Sequence, residues 1–517
     1  MGGSRSRAAL HWTLPVLVGL ALALDLFRLG TVSLWGDEAV SVELATNPLS
    51  VSLGYLWNNE INMVLYYLLL HGWLSFTGAL GLVPDEFVVR APSVFFGVIG
   101  VVVVFWLGRR FWGSMVGALG AALYALNNLP LGKAREARSY SLELLLILLA
   151  WCALFAALIA EERRRRWWVA YVVMTTLAVY AHVFSTLVVA AQVVAFAGLV
   201  VLPNEWRARA RQSVPAMAAS VAAIGVGVLP IAVHALLHGS SNNWLPAAGL
   251  YELARLAWNI AGHSVVDGLV LGVALAIAAL AVANAGQTVV RRATSRAPII
   301  ALACWVVVPV VLSFGTTQAY LNLHLFAWPY LVVVVPALCL LAAIGVSSVR
   351  RPAIRRALAL IVVAAAALAT PIFGAPPPQD FRNAARWISE RYETGDGLLA
   401  TTWSSSVVMG YYARIDAIPR DLLSDTPRPW VWNEPQPVEE IGARLIDPRA
   451  IAIFAATHRR VFIVDSLLGA ESADVKSQSA TIRSWFDETY PLVTAIAIDS
   501  VSPVSVRLYE TRAGPPG

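Results

Sequence analysis

Two adjacent carboxylates, Asp37 and Glu38, follow Trp35-Gly36 near the start of the chain, and Glu43, Asn58, Asn59, Glu60 and Asn62 come soon after. No Lys or Arg interrupts residues 31–86. A basic counterpart stands about a hundred residues later, in Lys133, Arg135, Glu136, Arg138 and Tyr140. A carboxylate can accept the proton of a hydroxyl nucleophile. A guanidinium pairs with phosphate oxygens through two parallel hydrogen bonds. If these groups meet, they suit transfer from a lipid-phosphate donor to a hydroxyl. Tyr180 and His182, then His238, Asn242 and Asn243, then Gln318, Tyr320, Asn322 and His324, follow at later breaks in the apolar sequence.

Each feature also has a plainer reading. Two acids can cap a juxtamembrane helix, arginines can hold anionic headgroups, and one histidine can be a hydrogen-bonded packing residue. The spacing HExxH is absent, and Asp37 with Glu38 could ligate a divalent cation only if distant residues joined them. No phosphate-cradling GxxxxGK[ST] loop occurs. From the residues alone, these groups define a site and no firm reaction.

The elements that must position them are membrane spans. The 517 residues are 58% hydrophobic and 14% charged, against about 25% charged in a typical soluble domain. Apolar runs fall near 11–30, 62–80, 87–107, 112–131, 141–160, 167–181, 183–202, 214–236, 264–285, 298–314, 324–346 and 355–373, long enough in most cases for spanning helices. The first run outlasts a signal-peptide core and reads as an uncleaved span. If 62–80 does not cross, 18 arginines (among them Arg109–Arg110, Arg163–Arg166 and Arg350–Arg351) share the N-terminal, cytoplasmic side. The positive-inside bias therefore selects eleven spans. Tyr66, Tyr67, Trp73 and Phe76 suit a helix lying in the interface. The acids and Arg138 then share the outer face. The net charge of +6 comes from these orienting clusters; no basic stripe interleaved with aromatics suggests nucleic acid. Cys152, Cys304 and Cys339 all lie in apolar runs, as packing residues do.

After Pro376–Pro378 polar residues become common. An amphipathic helix over 380–392, strands at 397–401, 461–465, 495–498 and 504–509, and a helix near 479–489 predict a small α/β domain. The expected division is a transmembrane part, 1–373, with an outer loop at 31–86, and an extracytoplasmic domain, 374–517.

Six segments, in order, resemble one family. Leu34-Trp35-Gly36-Asp37-Glu38-Ala39 resembles the first-loop signature of the GT-C superfamily. More narrowly, it resembles that of bacterial members related to protein O-mannosyltransferases and lipid A aminoarabinose transferases. Asn62–His71, Arg90-Ala91-Pro92-Ser93, Gly108–Gly113, Glu136-Ala137-Arg138-Ser139-Tyr140 and Tyr180-Ala181-His182-Val183-Phe184 are similar to the segments that follow in these proteins. Met63-Val64 replaces a double proline, and His324-Leu325 stands where many relatives have Arg-Tyr. The resemblance implies a GT-C fold, a polyprenyl-phosphate-linked sugar donor, and an acceptor glycan, lipid or protein glycosylated with inversion outside the cytoplasm, at the cytoplasmic membrane. It makes Asp37 the base, with Glu38 positioning donor or acceptor. Arg90 and Arg138, joined by Arg135 and His324, become phosphate or first-loop anchors. Tyr140 and His182 would line the donor pocket, and Tyr66, Tyr67 and Glu60 would contact substrate. It implies no nucleotide, and some relatives need no metal. A transporter or flippase of lipid-linked sugars would instead place ionisable groups at mid-membrane in repeated halves. A non-catalytic envelope assembly protein could keep the fold without the chemistry.

Overall fold

A computed structural model describes residues 2–59, 61–238, 248–284, 296–318, 325–370, 377–423, 448–467 and 473–511. All eleven expected passages are helical: α1 (Gly2–Leu26), α5 (Glu86–Trp112), α6 (Ser114–Leu126), α8 (Tyr140–Ile159), α9 (Arg164–Ala181), α10 (Ser185–Val201), α12 with α13 (Val214–Gly227, Leu229–His238), α15 (Val265–Asn284), α16 (Arg296–Thr316), a 3-10 turn running into α17 (Tyr330–Val334, Val335–Ser347) and α18 (Pro352–Ala369). Among the described residues, five helices are long and apolar enough to cross a membrane by length and composition, or seven if each of two bent pairs, α12 with α13 and α14 (Leu250–Ile260) with α15, is one span. The shorter apolar helices α1, α6 and α10 complete part of the set.

The loop between α1 and α5 folds into α2 (Gly36–Thr46), α3 (Leu49–Asn58) and α4 (Val64–Ala79). α4 has 16 residues, more than α6, so length does not decide whether it crosses. It packs on α2, where His71 Nδ1 lies 2.9 Å from the Ala45 carbonyl. Both flanks of this loop return to one end of the bundle. Leu34, before α2, and Glu86, opening α5, are bound by the same Tyr412 hydroxyl. The insertion thus leaves and rejoins the bundle at one end, the arrangement expected of a loop that does not cross.

The two ends of the bundle differ. One collects the acid loop, α7 (Asn128–Ala134), the α9–α10 junction and the turn before α17. The other collects Arg109–Arg110, Arg163–Arg166 and α11 (Arg207–Gln212), stitched by Phe111, Phe155 and Trp206 with ring centroids 5.3–5.6 Å apart. Glycines allow the closest helix approach. A Cβ at Gly108 would lie 2.8 Å from the Gly117 backbone, so α5 and α6 meet there with no side chain between them.

The C-terminal part is a four-stranded sheet of order β1-β2-β4-β3. Its strands are β1 (Gly397–Ala400), β2 (Arg460–Asp465), β3 (Leu492–Ile498) and β4 (Val504–Glu510). β1 and β2 are parallel, and the other pairs are antiparallel. Side chains alternate faces along a strand. Leu399, Val461 and Ile463 pack on one side with α21 (Pro448–Thr457) and α22 (Ala473–Thr489). Leu398, Phe462 and Val464 pack on the other with α19 (Phe381–Ser389) and α20 (Trp403–Arg414). That second layer continues without a break into the apolar core of the bundle.

Candidate active site

α2 starts at Gly36, so Asp37 and Glu38 occupy its first turn, where the positive end of the helix favours carboxylates. Successive residues point in different directions, and their environments diverge. The Glu38 side chain is 1% exposed, that of Asp37 40%. Glu38 receives Arg90 in a two-pronged pair, at 2.8 Å from Nε and 2.7 Å from Nη2. It also accepts the Ala137 backbone N–H at 2.8 Å. The rest of the Arg90 fork donates to the carbonyls of Leu29, Val32 and Ser33. One buried ion pair thus ties the end of α1, the acid loop, α5 and the loop before α8 together.

Asp37 is the freer acid. Its Oδ2 lies 3.2 Å from Arg138 Nη2, and its carbonyl accepts from Nη1 at 3.4 Å. The acid and the guanidinium, 101 residues apart, therefore meet. Burial opposes charge on Arg138, but Asp37 and the nearby oxygens of Tyr67, Tyr140 and Tyr330 outweigh it and hold its pKa well above the ordinary arginine value. Arg138 Nε has no hydrogen-bond partner among the described residues. Lys133, at the end of α7 and given no site role by the sequence, pairs with Glu136 at 2.8 Å and stands 4.5 Å from the centre of the Tyr140 ring.

Behind Arg138 an aromatic wall forms. The Tyr140 and His182 rings are 5.5 Å apart, and His182 and Tyr330 4.9 Å. His182 is fully buried, and burial together with Arg138 and Lys133 pushes its pKa down to about 3. The Phe184 N–H points at Nδ1 at 3.3 Å, which assigns the proton of the neutral ring to Nε2. That nitrogen has no partner among the described residues. Tyr330 is another residue the sequence reading did not single out; its apolar neighbours gave no signal.

The other expected residues sit around this centre in different ways. Tyr66 is buried and bonds Ser93 Oγ at 3.0 Å, which in turn donates to the Arg138 carbonyl. The Tyr67 hydroxyl points to Met63 Sδ at 3.8 Å. Arg135 turns to the Phe27 carbonyl at 2.7 Å. Glu60 and His324 lie outside the described residues. Among the described residues, no three His, Cys, Asp or Glu side chains are grouped to hold a metal ion.

The C-terminal part reaches the same loop. The Tyr412 hydroxyl, on α20, donates to Glu86 at 3.0 Å, accepts the Leu34 N–H at 3.2 Å and lies 3.1 Å from Ser33 Oγ. Gln379 accepts the Gly36 N–H at 3.2 Å and donates to Ser466, just beyond β2. Arg414 pairs with Glu43. Chain positions more than 300 apart carry no local pattern, so these partners could not be read from spacing.

Residues 69–234 match the family model described as dolichyl-phosphate-mannose-protein mannosyltransferase. The fold is similar to that of ArnT from Cupriavidus metallidurans in the apo state, with a TM-score of 0.60 at 12% identity over 97% of this chain and 98% of that one. It is similar also to ArnT of that organism bound to undecaprenyl phosphate, with a TM-score of 0.52 at 13% identity over 96% and 98%. Archaeal oligosaccharyltransferase AglB from Archaeoglobus fulgidus, in complex with an inhibitory peptide and a dolichol-phosphate, gives 0.50 at 11% identity over 95% of this chain and 73% of that one. No curated protein sequence matches the chain at a significant level. These findings show a fold shared with ArnT, in a chain whose several long apolar helices make it a multi-pass membrane protein. The mannosyltransferase-like sequence match is confined to residues 69–234, which hold four of the six segments whole.

Proposed function

We propose that this protein is an inverting glycosyltransferase that moves a sugar from a polyprenyl-phosphate donor to an acceptor hydroxyl at the outer face of the cytoplasmic membrane. The observation that carries the proposal is the pairing of a solvent-reaching carboxylate, Asp37, with a mostly buried guanidinium, Arg138, beside tyrosines and a neutral histidine. The donor phosphate takes Arg138 as its bidentate partner and frees Asp37 Oδ2. Asp37 then accepts the acceptor O–H proton while that oxygen attacks the anomeric carbon. The bond from that carbon to the phosphate oxygen breaks, and its electron pair leaves on the polyprenyl phosphate. Arg138, Lys133 and the Nε2–H of His182 face the growing charge, as preorganised donors do in transition-state stabilisation. Glu38 and Arg90 act through the loops they hold, not on substrate. Tyr66 fixes the Arg138 carbonyl through Ser93, and Tyr140 walls the donor site. We assign residues 1–373 to the catalytic membrane part and 374–517 to an extracytoplasmic domain that braces the acid loop. The test is a transfer assay with purified protein and a panel of polyprenyl-phosphate sugars. Product with at least one donor is expected; no product with any donor or acceptor overturns the proposal.

A further inference from the structure

A groove of about 530 Å³ opens on the side of the bundle between α9 and α12. Its space has a simple origin. Ala216, Ala219 and Ala223 recur on one face of α12, and methyl side chains leave a channel that Trp168 and Val172 of α9 do not fill. The walls are otherwise apolar over the length of the channel, with only Gln212, Ser213 and Ser220 as neutral polar residues. Arg164 and Arg165 line it as well, and no acid does. Arg164 is fixed, bonded to Ser213 Oγ and to the Ala157 carbonyl at 2.8 Å. Arg165 is exposed. Two acids precede the arginines in sequence: Glu161 reaches Arg209, and Glu162 is not part of the lining. Both arginines belong to the bundle end opposite Asp37. From Arg164 to Ala181, next to His182, α9 rises about 26 Å at 1.5 Å per residue, so the basic end and the candidate active site lie near opposite leaflets.

We propose that this groove is a binding site for an anionic glycerophospholipid of the leaflet opposite the active site. One acyl chain lies between α9 and α12, and the phosphate sits at Arg164 and Arg165. The charge pattern selects this occupant: an apolar slot with two cations at the headgroup level and no acid in its lining fits an anionic headgroup better than a zwitterionic one. A polyprenyl-phosphate donor engaged at Arg138 cannot fill the role, because its phosphate would be a helix length away. The lipid would lock α9 against α12, and α9 ends at His182.

Full-length protein in detergent, titrated with phosphatidylglycerol or phosphatidylcholine and read by native mass spectrometry and thermal unfolding, tests the proposal. Phosphatidylglycerol is expected to bind at least tenfold more tightly and to raise the midpoint. Removing one of two cations near an anionic lipid weakens binding about fivefold, so Arg165→Ala should do that, and Arg165→Glu more. Ala219→Trp fills the channel from an exposed position and should remove binding of both lipids while leaving the unliganded midpoint near wild type. Equal binding of the two lipids, or unchanged phosphatidylglycerol affinity in both Arg165→Glu and Ala219→Trp, overturns the site. Undecaprenyl phosphate displacing phosphatidylglycerol at equal concentration would overturn the assignment to a phospholipid. Every readout is independent of glycosyl transfer.

Discussion

Tyr412→Phe removes one oxygen from a fully buried ring and leaves its volume almost unchanged. That oxygen donates to Glu86, which is 1% exposed, and accepts the Leu34 N–H. Among the described residues, Glu86 then keeps Arg382 as its ion-pair partner, at 3.5 Å. A hydrogen bond to a charged group contributes about 1.5–3 kcal/mol and a neutral one about 1 kcal/mol, so the loop before Asp37 should lose about 2–4 kcal/mol of local stability. At 1.36 kcal/mol per decade this is an increase of roughly 30- to 1,000-fold in the opening of residues 33–38. Hydrogen exchange by mass spectrometry on peptides covering 30–40 reads it directly, and exchange should rise by that factor while peptides from α8 and α10 stay near wild type. Transfer should fall mainly in kcat, because Asp37 is displaced while the donor contacts at Arg138 remain. Unchanged exchange at 33–38 would refute the reasoning. So would faster exchange spread evenly over the bundle, because the hydroxyl would then serve general stability and not the loop.

Arg90→Ala should destabilise the fold by about 3–5 kcal/mol, since it strands the buried Glu38 carboxylate, and Arg90→Lys should rescue it only in part because an ammonium cannot span both oxygens; the unfolding midpoint in detergent checks this. His182 sets a pH dependence. Its folded pKa of about 3 lies below the unfolded 6.5, so the unfolded state binds the extra proton between these values. Stability should fall by about 1.4 kcal/mol per pH unit on acidification below about 6.5. His182→Gln should remove that slope, and a wild-type profile flat from pH 7 to 5, after correction for the other groups, would contradict the neutral ring. Cysteines introduced at Ser50, exposed in the acid loop, and at Arg165 should label from opposite sides of sealed vesicles, with Ser50 reached from outside; labelling of both from one side would contradict the eleven-span arrangement.

Periodicity and charge disclosed most of the architecture, since spans and strands obey local rules. The Arg109–Arg110 and Arg163–Arg166 clusters marked one end of the bundle, and charge alone led to the expectation that both flanks of 62–80 return to the other end. The four strands came within a few residues of their positions because alternating Val, Ile and Leu in short runs is a local signal. Helices α20 and α21 did not emerge, because Trp403–Arg414 mixes serines and tyrosines without a clear apolar stripe. At the site, Asp37 and Arg138 stood out as polar residues in an apolar chain. What each acid does was not legible. Glu38 and Asp37 are neighbours in sequence, and only packing shows that one is spent on Arg90 and the other reaches solvent. Tyr330, Tyr412 and Gln379 owe their places to long-range contacts that no spacing rule encodes.

The most direct test of the central claim replaces one oxygen by nitrogen at the proposed base. Asp37→Asn keeps the size of the side chain and a hydrogen-bonding group near Arg138 but cannot accept the hydroxyl proton. With a donor that supports transfer in the wild type, the account predicts that Asp37→Asn still binds the polyprenyl-phosphate sugar, with affinity within a few fold. Its transfer rate should fall by at least about 10²-fold, the lower range for a general base. Transfer at the wild-type rate in that variant would contradict the account.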